Sequence, residues 1–274
     1  MRISAISYLN TAPLMWDFEH GAAGKQFEIT YTVPSRCAAE LANGTADIGI
    51  IPSLAYASIP GLRILPGVAI ASKNAVRSIL LVSQKPLEEI RTVALDSSSL
   101  TSVALVHILF EKYWRGTRTF VSHAPDLGPM LAKYDAALLI GDPALKIDRS
   151  CYRTWDLAEE WVRLTRQPFV FAFWAVREDA ARNSTLDLPA IFQDSRNHGL
   201  EPVKINRIAR IWSPKLGIGE DDLRRYLTSN IHYFLDDDCL NGLQLFYQYA
   251  SECGLLPATP ELRFAEMPLI SHSI

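Results

Sequence analysis

Two apolar stretches, VRSILLVS at residues 76–83 and QPFVFAFWAV at residues 167–176, decide the fold. Each suits one buried strand and falls well short of the roughly 20 apolar residues needed to cross a bilayer. Each also interrupts a regular alternation of strand and helix. Ahead of the first, strands are expected at Arg2–Ser7, Phe27–Val33, Asp47–Ile51 and Arg63–Ala71, with helices near Pro13–Glu19, Ser35–Asn43 and Ser53–Ala57. Helix starts are marked by Thr11 before Pro13, Ser35 after Pro34 and Ser53 after Pro52, and Asn43-Gly44 is a left-handed stop. Between the two stretches lies a second series. Strands are expected at Val93–Asp96, Thr119–Ser122 and Asp135–Ile140, and helices at Leu100–Trp114, Asp126–Lys133 and Asp156–Arg166. After the second stretch the pattern is helical, over Asp187–Arg196, Glu220–Asp236 and Asp238–Cys253.

Strand–helix alternation with short connections predicts an α/β protein whose sheets are mostly parallel and flanked by helices. The two extended stretches then read as two passages of the chain between lobes. Lobe 1 is expected to be discontinuous, residues 1–80 and 174–274, with lobe 2 (residues 81–173) inserted, so that the chain forms a two-segment hinge. At 274 residues the chain is long enough for about two domains. A hinged pair of α/β lobes places its ligand in the cleft at the carboxyl ends of the strands.

Composition narrows the function. With 49% hydrophobic residues and 21% charged ones, the chain is of ordinary globular type. Its formal charge of −3 and the lack of a Lys/Arg-rich stripe argue against a nucleic-acid or membrane partner, whose phosphates need dense positive charge. Cys37, Cys151, Cys239 and Cys253 form no CxxC pair, the histidines form no HExxH, and no metal site is expected. Free thiols fit a reducing compartment. The opening MRISAISYLN reads as a buried strand rather than a signal peptide, so a soluble, cytoplasmic protein is expected. Neither GxGxxG nor GxxxxGK[ST] occurs, which speaks against a dinucleotide or ATP enzyme.

Small polar side chains at strand-to-helix junctions remain: Ser7, Tyr8 and Asn10 after the first strand, Ser35, Ser53, and the run Ser97-Ser98-Ser99-Leu100-Thr101-Ser102. Helix N-termini offer free N–H groups and partial positive charge, and several converging on one cleft suit a carboxylate. Each of these residues also has a plain role as a helix cap. Asn10 either reaches into the cleft or closes an Asx turn. Arg77 and Ser78 lie where the chain passes between lobes, placed to touch a ligand held there; Arg77 equally suits a surface ion pair. Asp142 ends a buried strand, where it either orients ligand-binding groups or caps the next helix.

The segments SYLNTAPL (7–14), ADIGIIPSLAY (46–56), VRSILLVS (76–83), ALDSSSLTS (94–102), LIGDPAL (139–145) and DLAEEW (156–161), taken in this order and spacing, resemble the chorismate dehydratase family of the futalosine route to menaquinone. The resemblance implies a fold like that of type II periplasmic binding proteins. It also implies a reaction, loss of water from chorismate to give 3-[(1-carboxyvinyl)oxy]benzoate, with no redox cofactor because aromatisation drives it. By this resemblance Asn10 and Ser78 hold and polarise the substrate, while Ser35, Ser53, Ser98, Ser99 and Thr101 bind its carboxylates. A monomer or homodimer acting on a small carboxylate is expected. Two rivals share the fold: a solute-binding protein without chemistry, and the sister 1,4-dihydroxy-6-naphthoate synthase. The latter usually opens with an SPCPND-like segment, where this chain has SYLNTAPL.

Overall fold

The structure is a computed structural model and describes residues 1–266; residues 267–274 of the expected lobe 1 lie outside the described residues. In chain order the first part forms β1 (Arg2–Ile6), α1 (Trp16–His20), β2 (Glu28–Thr32), α2 (Pro34–Ala42), β3 (Ile48–Pro52), α3 (Ser53–Tyr56) and β4 (Leu62–Ser72). The middle forms β5 (Ile79–Ser83), β6 (Thr92–Asp96), α4 (Leu100–Leu109), β7 (Thr119–His123), α5 (Leu127–Lys133), β8 (Ala136–Ile140), α6 (Gly141–Leu145), β9 (Arg153–Asp156) and α7 (Leu157–Thr165). The last part forms β10 (Phe169–Arg177) and helices α8 (Glu178–Arg182), α9 (Leu188–Gly199), α10 (Pro202–Leu216), α11 (Glu220–Arg225) and α12 (Asp237–Glu252).

Two five-stranded sheets result, ordered β2-β1-β3-β10-β4 and β7-β6-β8-β5-β9. In the first, β1 pairs in parallel with β2 and β3, whereas β10 lies antiparallel between β3 and β4. In the second, β6 pairs in parallel with β7 and β8, whereas β5 lies antiparallel between β8 and β9. Both sheets are therefore mixed, each with a single reversed strand. The reason is geometric. The chain leaves β4 at the cleft end of one sheet and enters the other sheet from that same end, so β5 must run against its neighbours. On the return, β10 does the same.

The central strands β3, β5 and β8 are buried along their whole length, and β10 is buried along all but its last residue, Arg177. Strands covered on both faces read as continuous apolar runs, which is why these four were plain in the sequence. The edge strands β2 and β7 are exposed or half-buried throughout. Between the sheets, Trp161 of α7 packs edge-on against Phe169 of β10 and Phe246 of α12, so the second passage is anchored by the C-terminal helix. Its indole N–H donates to Pro168 O at 3.1 Å.

Some local expectations are corrected. The helix expected over Pro13–Glu19 begins at Trp16, after a short 3-10 turn at Leu9–Thr11. The one expected over Leu100–Trp114 changes to a π turn at Phe110–Trp114. The one expected over Glu220–Asp236 ends in a π turn at Tyr226–Asn230. Beyond it the backbone is extended because His232 and Ala71 exchange N–H···O bonds of 2.8 and 2.9 Å across the outer edge of β4. Strand β9 and helix α10 had no separate sequence assignment. All four cysteines are free, Cys37 and Cys239 being buried.

Candidate active site

Ile6, Pro52, Ile70 and Phe171 from one sheet and Ile79 and Ile140 from the other meet around a cleft with about 460 Å³ of empty space, its open mouth included. Its polar lining comes from Tyr8, Asn10, Ser78, Ser99, Thr101, Ser102 and the backbone at Gly141. A mostly apolar concavity with a few convergent polar groups is the usual form of a small-ligand site. Among these lining residues there is no lysine, arginine, histidine, aspartate or glutamate. Polarity is therefore supplied by hydroxyls, one amide and helix-end N–H groups.

Each polar group is set by its element. Asn10 sits in the 3-10 turn that follows β1, where the Leu9 N–H donates to Asp142 Oδ1 at 3.1 Å and so ties this turn to the other sheet. Ser78 immediately precedes β5; its carbonyl accepts the Gly141 N–H at 2.7 Å, and its Oγ accepts the hydroxyl proton of Tyr226 at 2.9 Å. Ser99 caps α4 by accepting the Ser102 N–H, which leaves the first turn of that helix facing the cleft. Gly141 has φ of +61°, and a Cβ there would lie 2.7 Å from the Tyr8 ring. Only glycine combines that backbone with so close an approach.

Further hydrogen bonds run directly across the cleft. The Ser35 N–H donates to Ser98 O at 3.2 Å, and the Leu54 N–H donates to Thr101 Oγ1 at 3.1 Å. Ser53 Oγ donates to Val170 O of its own sheet at 2.8 Å and lies 3.3 Å from Thr101 Oγ1 across the cleft. The two sheets are thus held together in a closed arrangement.

Two carboxyls stand behind the lining, Asp96 buried and Asp142 half-buried. Asp96 accepts the Ser98 N–H and hydroxyl at 2.9 and 2.6 Å and the Ile140 N–H at 3.3 Å; burial pushes its pKa up. Burial also pushes the Asp142 carboxyl up to about 6. Both press on Tyr8, whose hydroxyl is held as a neutral donor chiefly by burial, despite its hydrogen bond to Ser98.

The structure brings Tyr8, Asn10, Ser78, Ser99 and Thr101 to one surface. It does not bring the others there. Ser7 is exposed and bonds Thr32 O, Ser35 and Ser98 meet through their backbones, Ser53 is buried beneath the lining, and Asp142 holds the Leu9 turn from outside it. Arg77 lies in the passage with its N–H on Asp156 and is not among the lining residues. Ser102, the last of the serine-rich run at the start of α4, also lines the cleft, and Gly141 was missed although it sits inside a quoted motif. Tyr226 was missed because it lies in a polar helical segment distant in sequence from every other site residue. Among the described residues, His232, Asp236 and Cys239 form a cluster of metal-ligand type away from the cleft. There the Lys73 ammonium lies 2.9 Å from Asp236 Oδ2, and Asp236 caps α12, so the carboxylate is already engaged as an ion pair and a helix cap.

The chorismate dehydratase of Thermus thermophilus is 28% identical over 257 residues, covering 87% of this chain and 91% of that protein. Among solved structures, a protein of Archaeoglobus fulgidus superposes with a TM-score of 0.74 at 16% identity, covering 93% of this chain and 98% of the other. The periplasmic aliphatic sulphonate binding protein SsuA of Escherichia coli gives 0.69 at 15% identity, covering 97% and 92%. A Candida albicans protein with the generic periplasmic binding protein fold gives 0.64 at 10% identity, covering 97% of each chain. These likenesses establish the periplasmic binding protein fold. Residues 1–252 match the family described as menaquinone biosynthesis, and the chain belongs to that family.

Proposed function

We propose that this chain is a hydro-lyase that removes water from chorismate to give 3-[(1-carboxyvinyl)oxy]benzoate. The observation that carries the proposal is the lining of the cleft: one amide and several hydroxyls from both sheets on an otherwise apolar wall, with no basic or acidic side chain. The relative from Thermus thermophilus bears the name of this activity.

The reaction removes the hydrogen on the ring carbon that bears the ether and the hydroxyl on its neighbour. The electron pair of the broken C–H bond completes the aromatic ring as the hydroxyl leaves, and the proton and hydroxide are released as water. Aromatisation supplies the driving force, and no redox partner enters the balance. Three tasks remain for the protein. Ser99, Thr101, Ser102 and the first turn of α4 hold the carboxylates, a helix start being favourable to anions. Asn10 and Ser78 hold and polarise the departing hydroxyl. The proton acceptor is the substrate's own enolpyruvyl carboxylate, folded close to the ring hydrogen, since proximity alone is worth a large effective concentration.

Ser35, Ser53, Ser98 and Asp142 act in this scheme by keeping the cleft closed. The lobes correspond to the two sheets, with the passages at residues 73–78 and 157–168, and the reaction takes place in the cytoplasm. Incubation with chorismate and identification of the product test the proposal. An aromatic ether lighter by one water is expected; recovery of bound but unchanged chorismate overturns it.

A further inference from the structure

Tyr226 is a side chain outside the cleft that reaches a proposed catalytic group, Ser78, directly. It lies at the head of the π turn Tyr226–Asn230, is fully buried, and donates its hydroxyl to Ser78 Oγ at 2.9 Å. The Asn10 side chain faces the same hydroxyl. Burial raises the phenol's pKa above its ordinary value, against hydrogen bonding to Ser78 and Asn10 that lowers it. From the end of the same turn, the Asn230 side-chain amide donates to Ala75 O at 2.8 Å. The π turn therefore grips the first passage at two points, on either side of Val76 and Arg77. π turns inside helices recur at functional sites, and here the wider turn ends the helix with the Tyr226 ring under Ser78.

A serine hydroxyl has one proton and accepts through two lone pairs. With one lone pair of Ser78 Oγ taken by Tyr226, the serine's own proton has its remaining outlet toward the cleft that Ser78 lines. We propose that Tyr226 is a positioning residue for the dehydration: by donating to Ser78 Oγ it turns the Ser78 proton toward the departing hydroxyl. This rests on the dehydratase function proposed above.

The test compares steady-state turnover of chorismate by the wild-type protein, Tyr226→Phe, Ser78→Ala and the double variant, with thermal unfolding of each. Phenylalanine keeps the ring that fills the buried space and removes only the donor. A hydrogen bond of ordinary net worth corresponds to a fall in kcat of about 2- to 13-fold for Tyr226→Phe, with little change in KM. In the Ser78→Ala background, Tyr226→Phe is expected to leave kcat nearly unchanged, because the group it orients is gone. A merely structural role would slow both backgrounds by the same factor, and that result overturns the inference. So does a Tyr226→Phe protein with wild-type kcat. Incorporation of 3-fluorotyrosine at position 226 keeps the donor and is expected to retain kcat; a loss equal to that of phenylalanine overturns the inference without reference to stability. A wild-type protein inert toward chorismate overturns the dehydratase proposal and this inference together, whereas an active wild type with an unaffected Tyr226→Phe overturns this inference alone.

Discussion

Asp156 Oδ2 lies 2.6 Å from the backbone nitrogen of Arg77, and this contact ties the first passage between the sheets to the end of β9, just ahead of the second. Arg77 has φ of +64°, a left-handed backbone that costs a non-glycine residue about 1 kcal/mol or more. The same carboxylate accepts the N–H groups of Val76, Ala158 and Glu159 at 3.1, 3.1 and 3.2 Å. One buried side chain thus caps α7 and holds the strained corner before Ser78.

Replacing that carboxylate should be costly. Asp156→Ala strands several buried N–H donors and removes a helix cap, a loss of about 2–4 kcal/mol. A fall in Tm of about 5–15 °C in thermal unfolding is expected for a chain of this size. A Tm within experimental error of the wild type would show that the passages are held by something else.

Much of this was legible in the sequence, and what was not has a common cause. The stretches at 76–83 and 167–176 announced the two passages because buried strands carry continuous apolar runs. Tyr8, Asn10, Ser99 and Thr101 line the cleft from strand-to-helix junctions, the local signal read in the sequence, and Ser78 lines it from the passage between the sheets. Ser53 and Asp142 have the same local signature yet lie behind the lining, since which way a junction side chain turns is settled by the opposite sheet. Tyr226 carried no local signal at all. Its place is fixed by the pairing of His232 with Ala71, a contact across 161 residues of chain that no periodicity encodes.

Asp142 gives a pH-dependent prediction. Burial raises its carboxyl to about 6 in the folded protein, against about 4 in an unfolded chain. A carboxyl raised in this way adds stability below its unfolded value and loses it as pH rises through the folded value. Asparagine at this position keeps an acceptor for the Leu9 N–H and does not titrate. The Tm of the wild type should therefore fall relative to that of Asp142→Asn between about pH 4 and 6, as differential scanning fluorimetry can follow. Parallel curves across that range would refute the assignment.

Asn10→Ala and Ser78→Ala should each lower kcat by about 10²-fold or more, the usual cost of removing a donor aimed at developing charge. Circular dichroism should show the fold retained in both. Near-normal turnover in the pair would remove these residues from the mechanism.

The proton acceptor is tested by the substrate. An analogue of chorismate that lacks the side-chain carboxylate should bind to the cleft, measured by calorimetry, yet fail to lose water. Rapid dehydration of that analogue would prove that the protein supplies a base.

The central claim is that the cleft converts chorismate rather than merely holding it. Mixing chorismate with the protein and following ultraviolet absorbance over time tests this most directly. The account predicts that the cyclohexadiene absorbance decays, at a rate proportional to protein concentration, while the aromatic product appears. A stable spectrum in the presence of measurable chorismate binding would contradict it.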